Sequence, residues 1–349
     1  MYDIDFLAVE NEEQTGTKSG DAIIVNVPDA STGEQRLIII DAGFSDTGQK
    51  VVDKISSWYG TDHVDLVIST HPDSDHINGL QTVLESLRVD ELMMHLPWKH
   101  NLGAVELGNY ERIEKLYATA TSKGVSITEP FTGESRYGGA VRILGPSVSF
   151  YEEQLRLAID EATTGTAAAR LNRSFAHELS LAGARLLEKV LSVFPAETLT
   201  DTDDAGPRNQ TSAITLINTG TARMLLTGDA GISALEAAAQ QYEASVGSFS
   251  AHPLQVFQAP HHGSKHNLGP TVLDRVIGPK GAAHGPVTAF VSSAKAAEKH
   301  PSPKVTNALG RRGASVTTTE GKNVHMGDSD RPGYVSTTPV GPLVEDDDA

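Results

Sequence analysis

The chain has no cysteine, which excludes a disulfide framework and a thiolate zinc site together. Any bound metal must therefore be held by nitrogen and oxygen, leaving His, Asp and Glu as ligands. Positive charge is also scarce: 28 Lys and Arg stand against 45 Asp and Glu, a formal net charge of −17. That balance disfavours broad, nonspecific attraction to phosphate backbones, although it does not exclude nucleic acid as a substrate. Part of the excess sits in Glu345-Asp346-Asp347-Asp348, which reads as a solvated tail. No uninterrupted apolar stretch approaches the length of a membrane-spanning helix, and Met1-Tyr2-Asp3-Ile4-Asp5 lacks the basic start and apolar core of a signal peptide. The expectation is a cytoplasmic protein without a membrane segment.

What is present is ample for one large core with an insertion: 349 residues, 39% hydrophobic. Strands are expected at Ile4–Val9, Asp21–Val27, Arg36–Ile40 and Val64–Ile68, with an amphipathic helix over Gln49–Tyr59 between the last two. A helix to about Leu87, a strand at Glu91–Leu96, a helix at Val105–Ser122 and strands near Val125–Thr128 and Ala140–Leu144 follow. Such alternation predicts a layered α/β (α+β) protein with helices packed outside sheets. From Phe150 to Pro207 the chain turns Ala-rich with Leu179, Leu186 and Val190 at helical spacing, predicting a helical insertion at about 150–207 beside the cleft as a lid or protein-partner surface. Its closing loop, Asp201-Thr202-Asp203-Asp204-Ala205-Gly206-Pro207, reads as a solvated linker sooner than a cation site. Strand signals resume at Ser212–Ile217, Arg223–Thr227, Leu254–Phe257 and Val287–Val291.

The densest chemistry lies in Ser69-Thr70-His71-Pro72-Asp73-Ser74-Asp75-His76, where two imidazoles and two carboxylates directly follow the apolar run Val64–Ile68. Four ligand-type residues at the exit of a buried strand can feed two neighbouring cations. Other strands also expire in ligand-type residues: Arg36–Ile40, earlier in the chain, in Asp41-Ala42-Gly43, Arg223–Thr227 in Gly228-Asp229, and Leu254–Phe257 in Ala259-Pro260-His261-His262-Gly263-Ser264. Sites gathered at strand ends are the expected geometry of a sheet-based enzyme.

This constellation, in this order, resembles the metallo-β-lactamase superfamily, and more narrowly the hydrolase domain of ComEC-type competence proteins and their free-standing relatives. The narrower marks are Gly20-Asp21-Ala22, Thr70–His76 with Asp73 where most of the superfamily has a second His, Asn209–Ser212, Leu226-Thr227-Gly228-Asp229, His261-His262-Gly263-Ser264 and His300-Pro301-Ser302-Pro303. The resemblance implies a four-layer αβ/βα sandwich, with a hydrolase domain over 1–335 and an acidic tail over 336–349. It implies one cation on His71 and Asp73, a second on Asp75, His76 and one of His261 and His262, His262 being favoured, and Asp229 bridging them. The usual third His of the first site has no clear match: His177 lies in the insertion, and Asn209–Ser212 occupies the place.

The chemistry expected of that set is hydrolysis by hydroxide activated between two divalent cations, manganese or zinc. Asp75 and Asp229 would act at the reacting centre, with His300 and Lys265 as donors to a phosphate oxygen or leaving alkoxide. Asp41, Asn209, Ser212, Ser264 and His266 would support ligands or substrate. The leading expectation is a phosphodiesterase or nuclease acting on single-stranded ends or short segments. Small-molecule ester, cyclic-nucleotide or lactam hydrolysis is the alternative within hydrolases, and a catalytically weak metal-binding component of a multi-protein system is the alternative outside them.

Overall fold

Strict alternation of apolar side chains sets up the architecture. In β2 (Ala22–Pro28) and β3 (Gln35–Ala42), Ile23, Val25, Ile38 and Ile40 face one way and Ile24 and Ile39 the other, and all six are buried. A strand apolar on both faces must be covered on both, which requires a layer on each side. The computed structural model, which describes residues 1–11, 16–164, 198–332, 334 and 337–343, has that arrangement.

One seven-stranded sheet runs β14-β1-β2-β3-β4-β5-β6, built with β1 (Asp3–Phe6), β4 (His63–Ile68), β5 (Arg88–Met93), β6 (Ser126–Thr128) and β14 (Val324–Gly327). The second runs β13-β12-β11-β10-β9-β8-β7, from β7 (Ser135–Arg136), β8 (Val141–Gly145), β9 (Ile214–Asn218), β10 (Arg223–Leu226), β11 (Val256–Gln258), β12 (Thr288–Val291) and β13 (Ser315–Thr318). Both sheets are mixed: β14 to β3 and β7 to β10 pair antiparallel, while β3 to β6 and β10 to β13 pair parallel. Their inner faces meet through Ile38, Leu66 and Ile68 against Ile143, Met224 and Val256, and Phe6 stacks on Phe290 with ring centroids 4.6 Å apart.

Helices α1 (Ser45–Lys54), α2 (Ser74–Ser86) and α3 (Tyr110–Ser122) cover the outside of the first sheet through Val51, Leu80, Val83 and Ile113. Helices α6 (Ile232–Ser245), α7 (Pro270–Val276) and α8 (Pro303–Arg311) cover the second through Leu235, Leu273 and Val305. The result is the four-layer αβ/βα sandwich of the metallo-β-lactamase fold. Between the halves lie α4 (Val148–Thr164) and the single turn α5 (Pro207–Gln210).

Several boundaries differ from expectation. The helix expected from Val105 begins at Tyr110, because Gly108-Asn109 interrupts it and Leu102–Glu106 forms a separate 3-10 turn. The helix expected over Gln49–Tyr59 is α1 followed by a π-helical turn, Ile55–Tyr59. Helices α6, α7 and α8 carried weaker signals: short lengths in α7 and α8, and mostly alanines on the buried face of α6. Of the expected insertion, α4 is seen, packed through Tyr151, Leu155, Ala158 and Ile159 against Ala104 and Leu107. Leu179, Leu186, Val190 and His177, and the acidic run Glu345–Asp348, lie outside the described residues.

The loop at 201–207 has a structural role. Asp201 accepts from the Thr271 backbone and hydroxyl at 3.0 and 2.6 Å, and Asp203 from Ser233 N at 2.8 Å, which sets a carboxylate at the N-terminus of α7 and of α6. Among the described residues, no helix is long and apolar enough to cross a membrane.

Candidate metal centre

The chain ends of β3, β4, β10 and β11 converge at one edge of the sandwich. Three residues there adopt left-handed backbone without being glycine: Asp41 (φ 54°), His261 (φ 49°) and His262 (φ 56°). Backbone strain of this kind persists where surrounding contacts over-determine it, and it concentrates at functional sites.

Asp41 fixes two imidazoles at once. Its carboxylate accepts from Thr70 N at 2.8 Å, from Thr70 Oγ1 at 2.5 Å and from His76 Nδ1 at 2.8 Å. Since the Thr70 hydroxyl spends its hydrogen on Asp41, it is left to accept from His71 Nδ1, 3.1 Å away. Both rings thereby carry their proton on Nδ1 and turn Nε2 inward. Those two Nε2 atoms are buried with no hydrogen-bond partner, as a metal ligand's would be.

Asp229 divides its carboxylate between them. Its Oδ1 lies 3.3 Å from His76 Nε2, and its Oδ2 lies 3.6 Å from both His71 Nε2 and His261 Nε2. On the His76 side, Asp75 Oδ2 is 3.3 Å from His262 Nε2 and 3.9 Å from His76 Nε2. On the His71 side, Asp73 Oδ2 is 4.0 Å from His71 Nε2 while its Oδ1 pairs with Arg208 Nη1 at 3.0 Å. Donor atoms of His71, His76 and Asp229, of Asp75, His76 and His262, and of Asp21, Asp229 and His262 lie within 4.8 Å of one another. This is a donor set that two divalent cations fit, each half bringing imidazole nitrogen and carboxylate oxygen.

Burial and charge oppose each other throughout. Burial disfavours the Asp229 carboxylate, but the imidazoles of His261, His76, His71 and His262 outweigh it and hold the carboxyl well below its usual range. Burial likewise opposes an imidazolium at His262, yet Asp229 and Asp75 push it up to about 9. His76 is raised against its burial by Asp229 and Asp41, whereas burial and the neighbouring His76 lower His71. Protons at His76 and His262 occupy positions that cations would compete for.

Both His261 and His262 turn a ring nitrogen toward an acidic residue, His261 Nε2 toward Asp229 on the His71 side and His262 Nε2 toward Asp75 on the His76 side. Asn267 Nδ2 donates to the Asp229 carbonyl at 2.8 Å, which turns Asn267 Oδ1 to accept from His261 Nδ1 at 3.0 Å and frees Nε2. The side-chain amide of Asn209, expected to support the site, lies 3.0 Å from the same Nδ1 and can take that N–H only with its oxygen turned toward the ring, and Ser212 Oγ accepts from Asp229 N at 3.2 Å. Ser264 and His266 instead brace their own loop. Ser264 Oγ accepts from His266 N at 3.2 Å, and the exposed His266 ring faces Asp204 at 3.5 Å. Lys265 is half-buried between them. His300 lies 5.7 Å, ring to ring, from His261; burial lowers it to about 4, so at neutral pH it can donate one N–H but holds no spare proton.

Sequence reasoning assigned no site role to Asp21, Thr70, Asn267 or Arg208. Asp21 is buried, takes Gln258 Nε2 at 2.8 Å on one oxygen and leaves the other without a partner. Its signal was the Gly20-Asp21-Ala22 run: a β-carbon on Gly20 would sit 2.4 Å from the Asp75 carbonyl, so the glycine permits contact with the metal loop.

Residues 18–157 match the family model of the metallo-beta-lactamase superfamily, whose fold implies divalent cations. A candidate metallo-beta-lactamase of Thermotoga maritima aligns over 41% of this chain and 65% of its own, just under two thirds, at 16% identity and a TM-score of 0.29. The metallo-beta-lactamase fold protein YhfI of Bacillus subtilis aligns over 94% of this chain and 100% of its own, at 8% identity and a TM-score of 0.43. A diphosphatase of the PhnP family aligns over 93% and 98%, at 10% identity and a TM-score of 0.40. No curated protein matches the chain.

Proposed function

We propose that this chain is a metal-dependent phosphodiesterase acting on nucleic-acid ends or short single strands, with manganese or zinc on two adjoining ligand sets. The observation that carries this reading is the split carboxylate of Asp229, one oxygen facing His76 and the other facing His71 and His261. One set would be His71, Asp73 and His261; the other His76, Asp75 and His262 with Asp21 at its rim; Asp229 serves both. His261 supplies the imidazole that the His71 set otherwise lacks. Bound cations there would polarise a phosphate oxygen and lower the pKa of water between them.

The chain's own groups do the rest. Asp75 is about a quarter exposed while Asp229 is buried, which makes it the carboxylate open to incoming water and suited to accept its hydrogen bond. Arg208, half exposed and paired with Asp73, can meet a phosphate oxygen with its remaining N–H groups. Lys265, half-buried on the loop that follows His262, would add a second cation. A net charge of −17 favours short or single-stranded substrates over duplex.

The test is metal-free protein reloaded with manganese, zinc or magnesium and assayed on single- and double-stranded DNA, RNA and bis(p-nitrophenyl) phosphate. Cleavage of the small diester and of single strands is expected, with duplex cut poorly. Cleavage of the small diester alone would move the substrate class to small molecules, and inactivity of fully loaded protein would overturn the reading.

A further inference from the structure

Asp21 immediately precedes β2, and its backbone is tied to two neighbours that shape the centre. Its N–H donates to the Asp75 carbonyl at 3.1 Å, and its carbonyl accepts from Gly43 N at 2.8 Å, which pins the residue between the metal loop and the end of β3. The side chain is placed as firmly. Gln258 Oε1 accepts from the backbone N–H groups of Thr227 and Gly228 at 2.8 and 3.2 Å, which fixes that amide and commits its Nε2 to Asp21 Oδ2 at 2.8 Å. Since Gly228 leads directly into Asp229, one glutamine holds both carboxylates in register.

The second oxygen, Asp21 Oδ1, is buried and closes no hydrogen bond. The Ser292 hydroxyl lies near the carboxylate, yet a hydroxyl fills one lone pair of an oxygen that has two. Asp21 Oδ2 stands 3.8 Å from His76 Nδ1, the ring edge that bonds Asp41, and donor atoms of Asp21, Asp229 and His262 lie within 4.8 Å of one another. Charge balance points the same way. Asp21, Asp41 and Asp229 are 1–2% exposed, and among the described residues neither they nor Asp75 pair with Lys or Arg; their cationic neighbours are imidazoles. Buried carboxylates stay ionised only beside compensating charge, which divalent cations supply.

We propose that Asp21 is a direct ligand, through Oδ1, of the cation held by His76, Asp75 and His262, and that it makes this half of the centre the tighter and harder of the two. With it, the half offers the carboxylates of Asp21, Asp75 and Asp229 beside two imidazoles. The His71 half has only Asp73 and the shared Asp229 beside its two imidazoles, and Asp73 is drawn toward Arg208 at 3.0 Å. Added carboxylate raises manganese relative to zinc, which imidazole suits better. The two halves therefore fill in order, the Asp21 half first.

This inference rests on the two-cation reading, and its test needs no turnover. Metal-free protein is titrated with manganese while the free ion is followed by electron paramagnetic resonance, with zinc competition in parallel. Wild type should bind two unequal equivalents. In Asp21→Asn, which keeps the shape and can still accept from Gln258, the tight equivalent should weaken at least about tenfold and shift toward zinc, leaving the weaker one unmoved. Cobalt-loaded Asp21→Ala separates a ligand from a supporting group: losing a ligand changes the visible absorption of the tight site, and losing a supporting group does not. Two equal equivalents in the wild type would overturn the inference even if no variant folded, as would a tight equivalent undiminished in Asp21→Asn or an unaltered cobalt spectrum in Asp21→Ala. Unequal sites without diester hydrolysis would sink the phosphodiesterase reading alone, and hydrolysis with equal sites would sink this one alone.

Discussion

Asp41 shows how much one carboxylate can organise: through Thr70 and directly, it sets the tautomer of both His71 and His76. Asn can adopt the same left-handed backbone but carries no charge and one fewer acceptor, so Asp41→Asn should lower metal affinity about 10- to 100-fold without unfolding the protein. Competition with a chelating dye would measure it, and unchanged affinity would remove Asp41 from the site's machinery. The imidazoles also set a pH dependence. His262 rises to about 9 in the metal-free fold, above the roughly 6.5 of an unfolded histidine, so its contribution is fully present below pH 6.5 and lost as pH climbs through 9. Metal-free protein should therefore melt at progressively lower temperature between about pH 6.5 and 9, while metal affinity rises over that window as the competing proton leaves. His95 works on the acid side: lowered by burial to about 3, it should cost stability as pH falls below about 6.5. Melting curves across pH, with and without metal, check both signs, and a flat metal-free profile above pH 6.5 would contradict the first.

At the scale of elements, the centre depends on how closely α2 can lie against the end of β3. A β-carbon on Gly79 would sit 2.0 Å from the Ala42 carbonyl, and one on Gly48 of α1 would sit 2.4 Å from the Gly79 carbonyl. Because Asp75 and His76 ride in the first turn of α2, Gly79→Ala should both destabilise the fold by about 1–3 kcal/mol and weaken metal binding. Urea unfolding of metal-free protein would register the first effect, and wild-type stability would show that the helix can shift freely. The strands were legible in the sequence, and so was the clustering of ligand-type residues at their ends, because β-branched runs stopped at His, Asp and Gly. The pairing of His261 with one half of the centre and His262 with the other was not legible. Adjacent residues on extended chain point to opposite faces, and only the successive left-handed turns at both positions bring both rings inward. Helices α6 to α8 went unread because alanine and short length leave little periodic signal.

For the whole molecule, the net charge of −17 separates local attraction from global repulsion. Raising ionic strength shortens the screening length from about 30 Å at 0.01 M to about 8 Å at 0.15 M. On oligonucleotides, kcat/KM should therefore rise with salt over that range, opposite to the fall that counterion release imposes on basic nucleic-acid binders, and bis(p-nitrophenyl) phosphate should change little. A steep fall with salt on oligonucleotides would mean that a basic surface governs binding. A layered α/β protein was legible at this scale from the alternation of elements, and the two-sheet sandwich only through the superfamily resemblance that the order of strand-end motifs carries, while the dimensions of the cleft were not, since they depend on α4 and α5. The most direct measurement of the central claim is a titration of metal-free protein with manganese, following bound metal and bis(p-nitrophenyl) phosphate hydrolysis together in wild type and Asp229→Asn. The account predicts activity that saturates as the second equivalent binds, and its loss in Asp229→Asn. Two bound equivalents without hydrolysis in the wild type, or full activity at one, would contradict it.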